Sequence, residues 1–313
     1  MIQLAVILCR LAQYSAASVL MGSALFFVYA LPANGPAAAA SLRWPKPLLV
    51  CAALLLLVGT MLGLVGQTAV LAGSLSDALT AESLTAVVTQ MDLGKAAVVR
   101  AAVALVAAVY AAVMPRGRAL WLGAGALGAL ACVTFGWMGH GGATDGAGHV
   151  PHLTADIVHA LAAALWIGAL VAFAGLVAPR GQGLERLSAT ATALQRFSPI
   201  GIALVATIAA TGLVNSWYLI GTSVSAAVHD AYGQLLALKI ALFTGMLVLA
   251  ALHRQRSVPA LAARLASNIL PQEDALASLR RSLAFEALLG LAVLALVAWF
   301  GTLEPPMAMT MPM

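Results

Sequence analysis

Charged residues and cysteines are both scarce in this sequence. Asp, Glu, Lys and Arg together make up 9% of the 313 residues, whereas hydrophobic residues make up 62%. A soluble globular domain has about 25% charged and roughly 45–50% apolar residues. The composition therefore excludes an ordinary soluble domain and indicates a protein embedded in a lipid bilayer.

Further absences limit the function. Cys9, Cys51 and Cys132 lie in three different hydrophobic runs and form no CxxC pair, so a disulfide framework is not expected. The sequence has no GxxxxGK[ST] phosphate-binding loop and no HExxH metalloprotease motif, and it has no sizeable hydrophilic segment to hold a nucleotide. We therefore expect a protein that is not an enzyme and uses no nucleotide, and any transport would draw energy from a gradient or a partner.

Eight hydrophobic runs are long enough to cross a bilayer, which takes about 20 mostly apolar residues. They cover approximately residues 4–31, 47–72, 92–114, 119–138, 152–178, 198–220, 232–252 and 282–301. No basic residue precedes the first run and Arg10 interrupts it, so we expect a retained first helix and not a cleaved signal peptide. The predicted fold is an all-α, polytopic membrane helix bundle with about eight transmembrane helices.

Basic residues lie in alternate connections between these runs. Twelve of the 16 lysines and arginines lie in the first, third, fifth and seventh connections, and the second, fourth and sixth have none. Cytoplasmic loops carry the excess of Lys and Arg in membrane proteins. The odd connections are therefore predicted to be cytoplasmic, with both termini outside. This placement also explains the formal net charge of +5 without a nucleic-acid partner.

The two halves of the sequence resemble each other weakly but in order. Three pairs match at similar offsets: Gly22 with Gly168, Gly63 with Gly212, and Arg100 with Lys239. Two four-helix units of the same orientation would be related by an axis along the membrane normal. We expect such halves at residues 1–138 and 152–304. The alternative is that small residues recur in any helix bundle because they let backbones approach closely.

Four of the six histidines lie between positions 140 and 159, on the predicted outer side. His152, Asp156 and His159 have i, i+4 and i+7 spacing, which places them within about 60° on one helix face. Ionisable side chains are costly inside a membrane and normally face an interior or a wet cavity. Imidazole is a common ligand of transition metals, so this stripe is a candidate metal site. Alternatively, His152 caps the helix and Asp156 pairs with Arg10.

Further candidate ligands lie on the same predicted side. His140 and His149 belong to a loop rich in glycine and histidine at residues 139–151, and a tail at 305–313 begins with two prolines. The tail contains four methionines, Met307, Met309, Met311 and Met313. Thioether sulfur is a soft ligand that favours Cu(I), so the tail indicates copper capture. The alternative is a disordered terminus that happens to be rich in methionine.

Four other charged residues lie inside predicted spans: Arg10, Arg100, Lys239 and Glu286. At 1.5 Å per residue, Arg100 and Lys239 lie roughly 10 Å from the outer ends of their helices. The sequence favours structural pairing and the lining of a water-filled path equally for these charges.

The second half resembles a known family of membrane proteins. The resemblance rests on four ordered blocks: "DIVHALAAALWIGAL" with His159 and Trp166, "RFSPIGIALVATIAATGL" from Arg196, "YGQLLALKIAL" with Lys239, and "RRSLAFEALLG" with Glu286, followed by "LEPP". The chain is thereby similar to the bacterial copper resistance protein D family. The resemblance implies eight spans, copper movement across the inner membrane and work beside a periplasmic copper carrier.

These features together predict a multi-pass protein of the bacterial inner (plasma) membrane that acts in copper homeostasis and resistance. It would collect copper, as Cu(I), at the periplasmic face through histidine and methionine. The alternative is a membrane haem protein that transfers electrons, since histidines on helices can be axial ligands. Two haems would need four facing histidines, whereas only His159 lies clearly inside a predicted span.

Overall fold

A computed structural model describes residues 1–32, 39–139, 142, 144, 146–178, 184–221, 231–252, 255, 259 and 273–303. All regular secondary structure in this part of the chain is helical. Eight of its helices are long and apolar enough to cross a membrane. The predicted all-α bundle with eight spans is therefore confirmed.

The eight spanning helices follow the hydrophobic runs closely. They are α1 (Ile2–Tyr29), α2 (Pro45–Ala72), α3 (Asp92–Val113), α4 (Arg118–Trp137), α5 (His149–Leu176), α6 (Leu184–Ile220), α7 (Ala231–Leu252) and α8 (Glu273–Phe300). Two of them depart from regular α-helix, since α1 contains a π-helical turn at Val19–Ser23 and α4 ends in a 3₁₀ turn at Thr134–Trp137. Helix α6 continues through Pro199.

Two short helices that the hydrophobic runs do not predict lie between α2 and α3, at Leu75–Ala78 and Ala81–Gln90. Each begins at a capping hydroxyl. The Ser74 side chain accepts a hydrogen bond from the backbone N–H of Asp77, and the Thr80 side chain accepts one from Ser83. Such caps satisfy backbone donors that a helix start leaves open.

Helices α1 and α5 cross at the centre of the bundle through two glycines. A Cβ on Gly22 or on Gly168 would come closer than 3.0 Å to backbone atoms of the other helix. The crossing is also bonded, because the Ser23 hydroxyl donates to the carbonyl oxygen of Gly168 at 2.8 Å. Glycine at both positions lets the two backbones touch, as small residues do at close helix crossings in membranes.

The two halves share most helix contacts but not all. Helix α1 packs on α2 as α5 packs on α6, and α3 packs on α4 as α7 packs on α8. Helix α2 also packs closely on α3, whereas α6 and α7 make at most marginal contact within the described residues. Within the described residues, the second half thus lacks the close helix contact that joins α2 and α3 in the first half.

The two ends of the bundle differ in their buried side chains. At one end, the ring of Phe173 on α5 lies 4.8 Å from that of Phe26 on α1 and 5.5 Å from that of Phe197 on α6. The other end, where residues 137–139 and 146–149 lie, holds the buried polar side chains discussed below, and we call it the histidine end. The charge distribution predicts that this end faces outward.

Candidate functional site

A stripe of ionisable side chains runs along α5 at the histidine end and faces α6. It consists of His152, Asp156 and His159, and we call it the α5 ladder. The side chains that face it on α6 have the same i, i+4, i+7 spacing: Thr211, Asn215 and Tyr218. Each member of the α5 ladder contacts one of these three residues. The two helices thus form a polar seam within the bundle.

His152 occupies the outermost position of the α5 ladder and is buried, with 2% of its surface exposed. Its ring stacks on that of Tyr218, with centroids 4.7 Å apart and an angle of 9° between the ring planes. Its Nδ1 lies 2.7 Å from the hydroxyl of Thr144, in the loop before α5. The loop and α6 therefore hold this imidazole in one orientation.

Asp156 lies one turn deeper, beside an amide and a glycine. Asn215 Nδ2 donates to Asp156 Oδ1 at 3.4 Å. A Cβ on Gly139 would lie 3.2 Å from Asp156 Oδ2, so the backbone of the loop approaches the carboxylate closely. Lys239 on α7 is near enough to act electrostatically on Asp156 and on His159. Its charge opposes that of the carboxylate.

His159 is the innermost member, and its hydrogen bonds assign its tautomer. Its Nδ1 lies 3.0 Å from Thr211 Oγ1, and that hydroxyl donates its own proton to the carbonyl oxygen of Thr207 at 2.6 Å. Because a threonine hydroxyl has one proton and the bond to Thr207 is the shorter of the two, we assign Thr211 as the acceptor of Nδ1–H of His159. In the neutral ring the lone pair is then on Nε2, the arrangement found where histidine binds a metal and donates its other N–H.

The α5 ladder is too extended to be a single closed coordination shell. Its seven-residue span corresponds to about 10 Å along the helix axis. Among the residues that the structure describes, no group of three or more His, Cys, Asp or Glu side chains converges on one point. The arrangement offers successive ligands along a line and not one compact site.

The first half has an equivalent polar cluster built around Arg100, which is 1% exposed. Its guanidinium donates to Thr134 Oγ1 at 2.8 Å, to the Thr134 carbonyl oxygen at 3.0 Å and to Gln13 Oε1 at 2.8 Å. It also donates to the sulfur of Met138 at 3.4 Å and lies 4.3 Å from the ring centre of Phe135. Neutral groups thus hold this cation, which favours the structural role for Arg100.

Arg10 does not pair with Asp156, so the pairing alternative is wrong for these residues. Arg10 Nη2 donates to Gln67 Oε1 at 3.3 Å, and its guanidinium packs against Gly301. The ion pair present within the described ranges joins Asp92 and Lys95 at the surface. Arg10 on α1 therefore points toward α2 and the end of α8, whereas Asp156 contacts Asn215 on α6.

The remaining candidates are placed in part. Glu286 on α8 is buried and accepts from the indole N–H of Trp166 on α5 at 3.2 Å, so it joins two blocks that carry the family resemblance. His149 Nδ1 lies 2.8 Å from the carbonyl oxygen of Thr144, beside the entrance to the α5 ladder. The other candidates lie outside the described residues: His140, Met307, Met309, Met311 and Met313.

The facing stripe on α6 is the part of the site that sequence reasoning missed. Thr211, Asn215 and Tyr218 are uncharged, so they do not stand out as costly residues in a span. Their spacing could nevertheless have been recognised in the sequence, because it repeats the i, i+4, i+7 pattern of the α5 ladder. Two such stripes on consecutive helices indicate a polar seam between them.

Comparisons with known proteins agree over most of the chain. A family described as "Copper resistance protein D-like, N-terminal domain" matches residues 1–150, and a family described as "Copper resistance protein D" matches residues 191–300. Copper resistance protein D of Pseudomonas syringae pv. tomato is 34% identical over 300 residues, which is 95% of this chain and 96% of that protein. Copper transport protein CutJ of Bacillus subtilis (strain 168) is 31% identical over 151 residues, which is 48% of this chain and 25% of that protein. No solved structure gives a significant match.

Proposed function

Because the chain belongs to the copper resistance protein D family, a multi-pass membrane family of copper homeostasis, we propose that it moves copper across the bacterial inner membrane through the seam between α5 and α6. The similarity to copper transport protein CutJ of Bacillus subtilis supports transport in particular. Copper is the cargo in this proposal.

The observation that carries the proposal is the α5 ladder with its oriented histidine. Thr211 fixes the proton of His159 on Nδ1 and leaves Nε2 as the ligand nitrogen. Asp156 supplies a negative charge between two imidazoles, which lowers the cost of a copper cation inside the membrane. These ligands lie one after another along the helix and do not enclose copper in one compact site. Copper can therefore pass from each ligand to the next.

Capture is proposed to begin at the periplasmic face, before copper reaches His152. His140 and His149 in the loop and the methionines Met307, Met309, Met311 and Met313 in the tail are the ligands proposed for it. Thioethers favour Cu(I), which is the oxidation state we propose for the captured ion. A periplasmic copper carrier is the proposed donor or acceptor at this face.

Lys239 is proposed to balance Asp156 when no copper is bound. The two residues interact electrostatically from α7 and α5. Arrival of a copper cation at Asp156 would replace this neutralising charge.

The test is copper uptake by the purified full-length protein in liposomes that contain a copper-binding dye. With ascorbate outside to supply Cu(I), we expect dye signal to rise in proteoliposomes and to stay at the background rate in empty liposomes. Equal rates in the two preparations would overturn the proposal. A Soret band in the same purified protein would instead favour the haem alternative, whose axial ligands would be histidines.

A further inference from the structure

A second polar site lies in the first half of the bundle, also at the histidine end. It is a cavity of about 370 Å³ between α1, α2, α3 and the residues that follow α4. Its polar wall includes Arg10, Gln13, Gln67 and Arg100. We call it the arginine cavity.

Arg10 supplies the feature that points to a ligand. The residue lines the cavity and is 6% exposed, and its Nη1 is buried without a hydrogen-bond partner. Its other terminal nitrogen makes only the long bond of 3.3 Å to Gln67. A buried donor that makes no hydrogen bond destabilises the folded protein, and more so when it is charged. An anion in the cavity would remove that destabilisation.

The charges around the cavity are predominantly positive. Arg10 and Arg100 line its interior, and the carboxylate among the described lining residues, Asp92, lies at the rim. The Asp92 side chain is 72% exposed and is bonded to Lys95 at 2.9 Å. It therefore does not neutralise the buried guanidiniums. Gln13 and Gln67 are neutral, so no buried carboxylate balances the two cations among the described residues that line the cavity.

The shape of the wall favours an organic anion. Beside the polar side chains, the cavity is lined by Val6, Gly63, Leu64 and Ala97, which offer an apolar surface. Guanidinium presents two parallel N–H groups that match the two oxygens of a carboxylate. A small carboxylate could place its oxygens on Arg10 and its hydrocarbon part against the apolar wall, which an inorganic anion could not use.

The sequence relationship between the halves explains why they would bind ligands of opposite charge. At the offset that matches Gly22 with Gly168, Arg10 corresponds to Asp156 and Gln13 to His159. The same position on equivalent helices is thus cationic in one half and anionic in the other. The two sites also adjoin, because Gly139 lines the arginine cavity and contacts the Asp156 carboxylate.

From these observations we infer that the arginine cavity binds a small organic carboxylate, held by Arg10 through its free Nη1. This site is independent of copper transport, since it can be occupied in metal-free protein. Arg100 contributes positive charge from the inner wall, while its own donors remain bonded to Thr134 and Gln13.

The test is thermal unfolding of metal-free, full-length protein in a non-ionic detergent, with acetate, butyrate, phosphate or chloride added at constant ionic strength. We expect Tm to rise with butyrate concentration and to saturate, and to rise less with phosphate or chloride. Arg10→Gln should weaken the apparent affinity by about tenfold or more, because it removes a charged hydrogen bond. Arg116→Gln is the matched control, since it removes a positive charge from an exposed side chain that does not line the cavity, and should leave the affinity unchanged.

A second variant guards against loss of folding in Arg10→Gln. Gln67→Leu keeps both arginines and releases Nη2 of Arg10 from its hydrogen bond, so it should strengthen butyrate binding, a gain that loss of folding could not produce. Equal, non-saturating effects of all four anions would show a cavity that holds water only and would overturn the proposal. A saturating response to phosphate alone, or a butyrate response that survives in Arg10→Gln, would also overturn it.

Discussion

Gly22 of α1 and Gly168 of α5 are in contact, and each meets the residue four positions before the other. A Cβ on Gly22 would meet the carbonyl oxygen of Ala164, and a Cβ on Gly168 would meet that of Ser18. Both contacts join positions that are related by the same offset in sequence. Such reciprocity is expected where two equivalent helices cross on a pseudo-two-fold axis, and it supports the predicted duplication.

A second pair of equivalent contacts extends this relationship to the polar clusters. Gly63 on α2 packs against the amide of Gln13, and Gly212 on α6 packs against the ring of His159. Gln13 and His159 correspond to each other at the offset of the glycine pair. The first half therefore keeps a structural glutamine where the second half has the proposed ligand.

The crossing of α1 and α5 predicts a large effect of a small substitution. Gly22→Ala should lower the thermal stability of the purified protein, because the added methyl group overlaps backbone atoms and overpacking costs about 1–3 kcal/mol. Gly245→Ala is the control, since its Cβ would meet Leu289 at an ordinary distance of 3.5 Å. Equal Tm values for the two variants in detergent would argue against a tight crossing.

The tautomer assignment predicts an effect at a residue that is not itself a metal ligand. Thr211→Val removes the acceptor for His159 Nδ1–H and should weaken copper binding by about tenfold to a hundredfold, as changes to ligand-orienting partners do. Thr207→Val is matched, because it removes a hydroxyl one turn away that bonds to Ala203. Copper affinity measured by competition with a chelating dye checks this, and equal affinities in the two variants would contradict the assignment.

The charge distribution predicts which connections face outward. In a variant whose cysteines, Cys9, Cys51 and Cys132, are replaced by alanine, Glu82→Cys should react with an impermeant thiol reagent in intact spheroplasts. Arg116→Cys, also in an exposed connection, should react only after lysis. The reverse labelling pattern would overturn the orientation.

The methionine tail predicts a separable role in capture. Deleting residues 307–313 should slow copper uptake at low external copper but leave the rate at saturating copper and the Tm unchanged, because it follows two prolines and the ladder ligands are retained. Replacing the four methionines with leucine, at full length, separates the thioethers from the length of the tail. Equal uptake rates at low copper in the unmodified protein, the deletion variant and the leucine variant would show that the tail has no role in capture.

The helices and the ladder were predictable from sequence for different reasons. Eight runs of apolar residues reveal eight spans because the thickness of the bilayer sets their length. The α5 ladder was visible because its charges are costly in a membrane and share one helical face. The short helices after α2 were missed because their signal is local, two capping hydroxyls at Ser74 and Thr80, and not a long hydrophobic run.

Partners across helices were harder to predict, as Arg10 and Glu286 illustrate. Opposite charges at similar depth suggested a pair between Arg10 and Asp156, but the rotation of α1 directs Arg10 toward Gln67 and Gly301. Glu286 contacts Trp166, 120 residues away in sequence. Such contacts depend on how each helix rotates and packs, which the hydrophobic pattern of a fully embedded helix does not fix.

The most direct test of the account is copper binding and uptake by His159→Ala, measured beside Thr154→Ala. Thr154 is exposed on another face of the same helix, so its loss should leave copper unaffected. We predict that His159→Ala folds and reaches the membrane but loses tight copper binding and brings uptake in proteoliposomes to the rate of empty liposomes. Copper affinity and uptake equal to those of Thr154→Ala would contradict the proposed role of the α5 ladder.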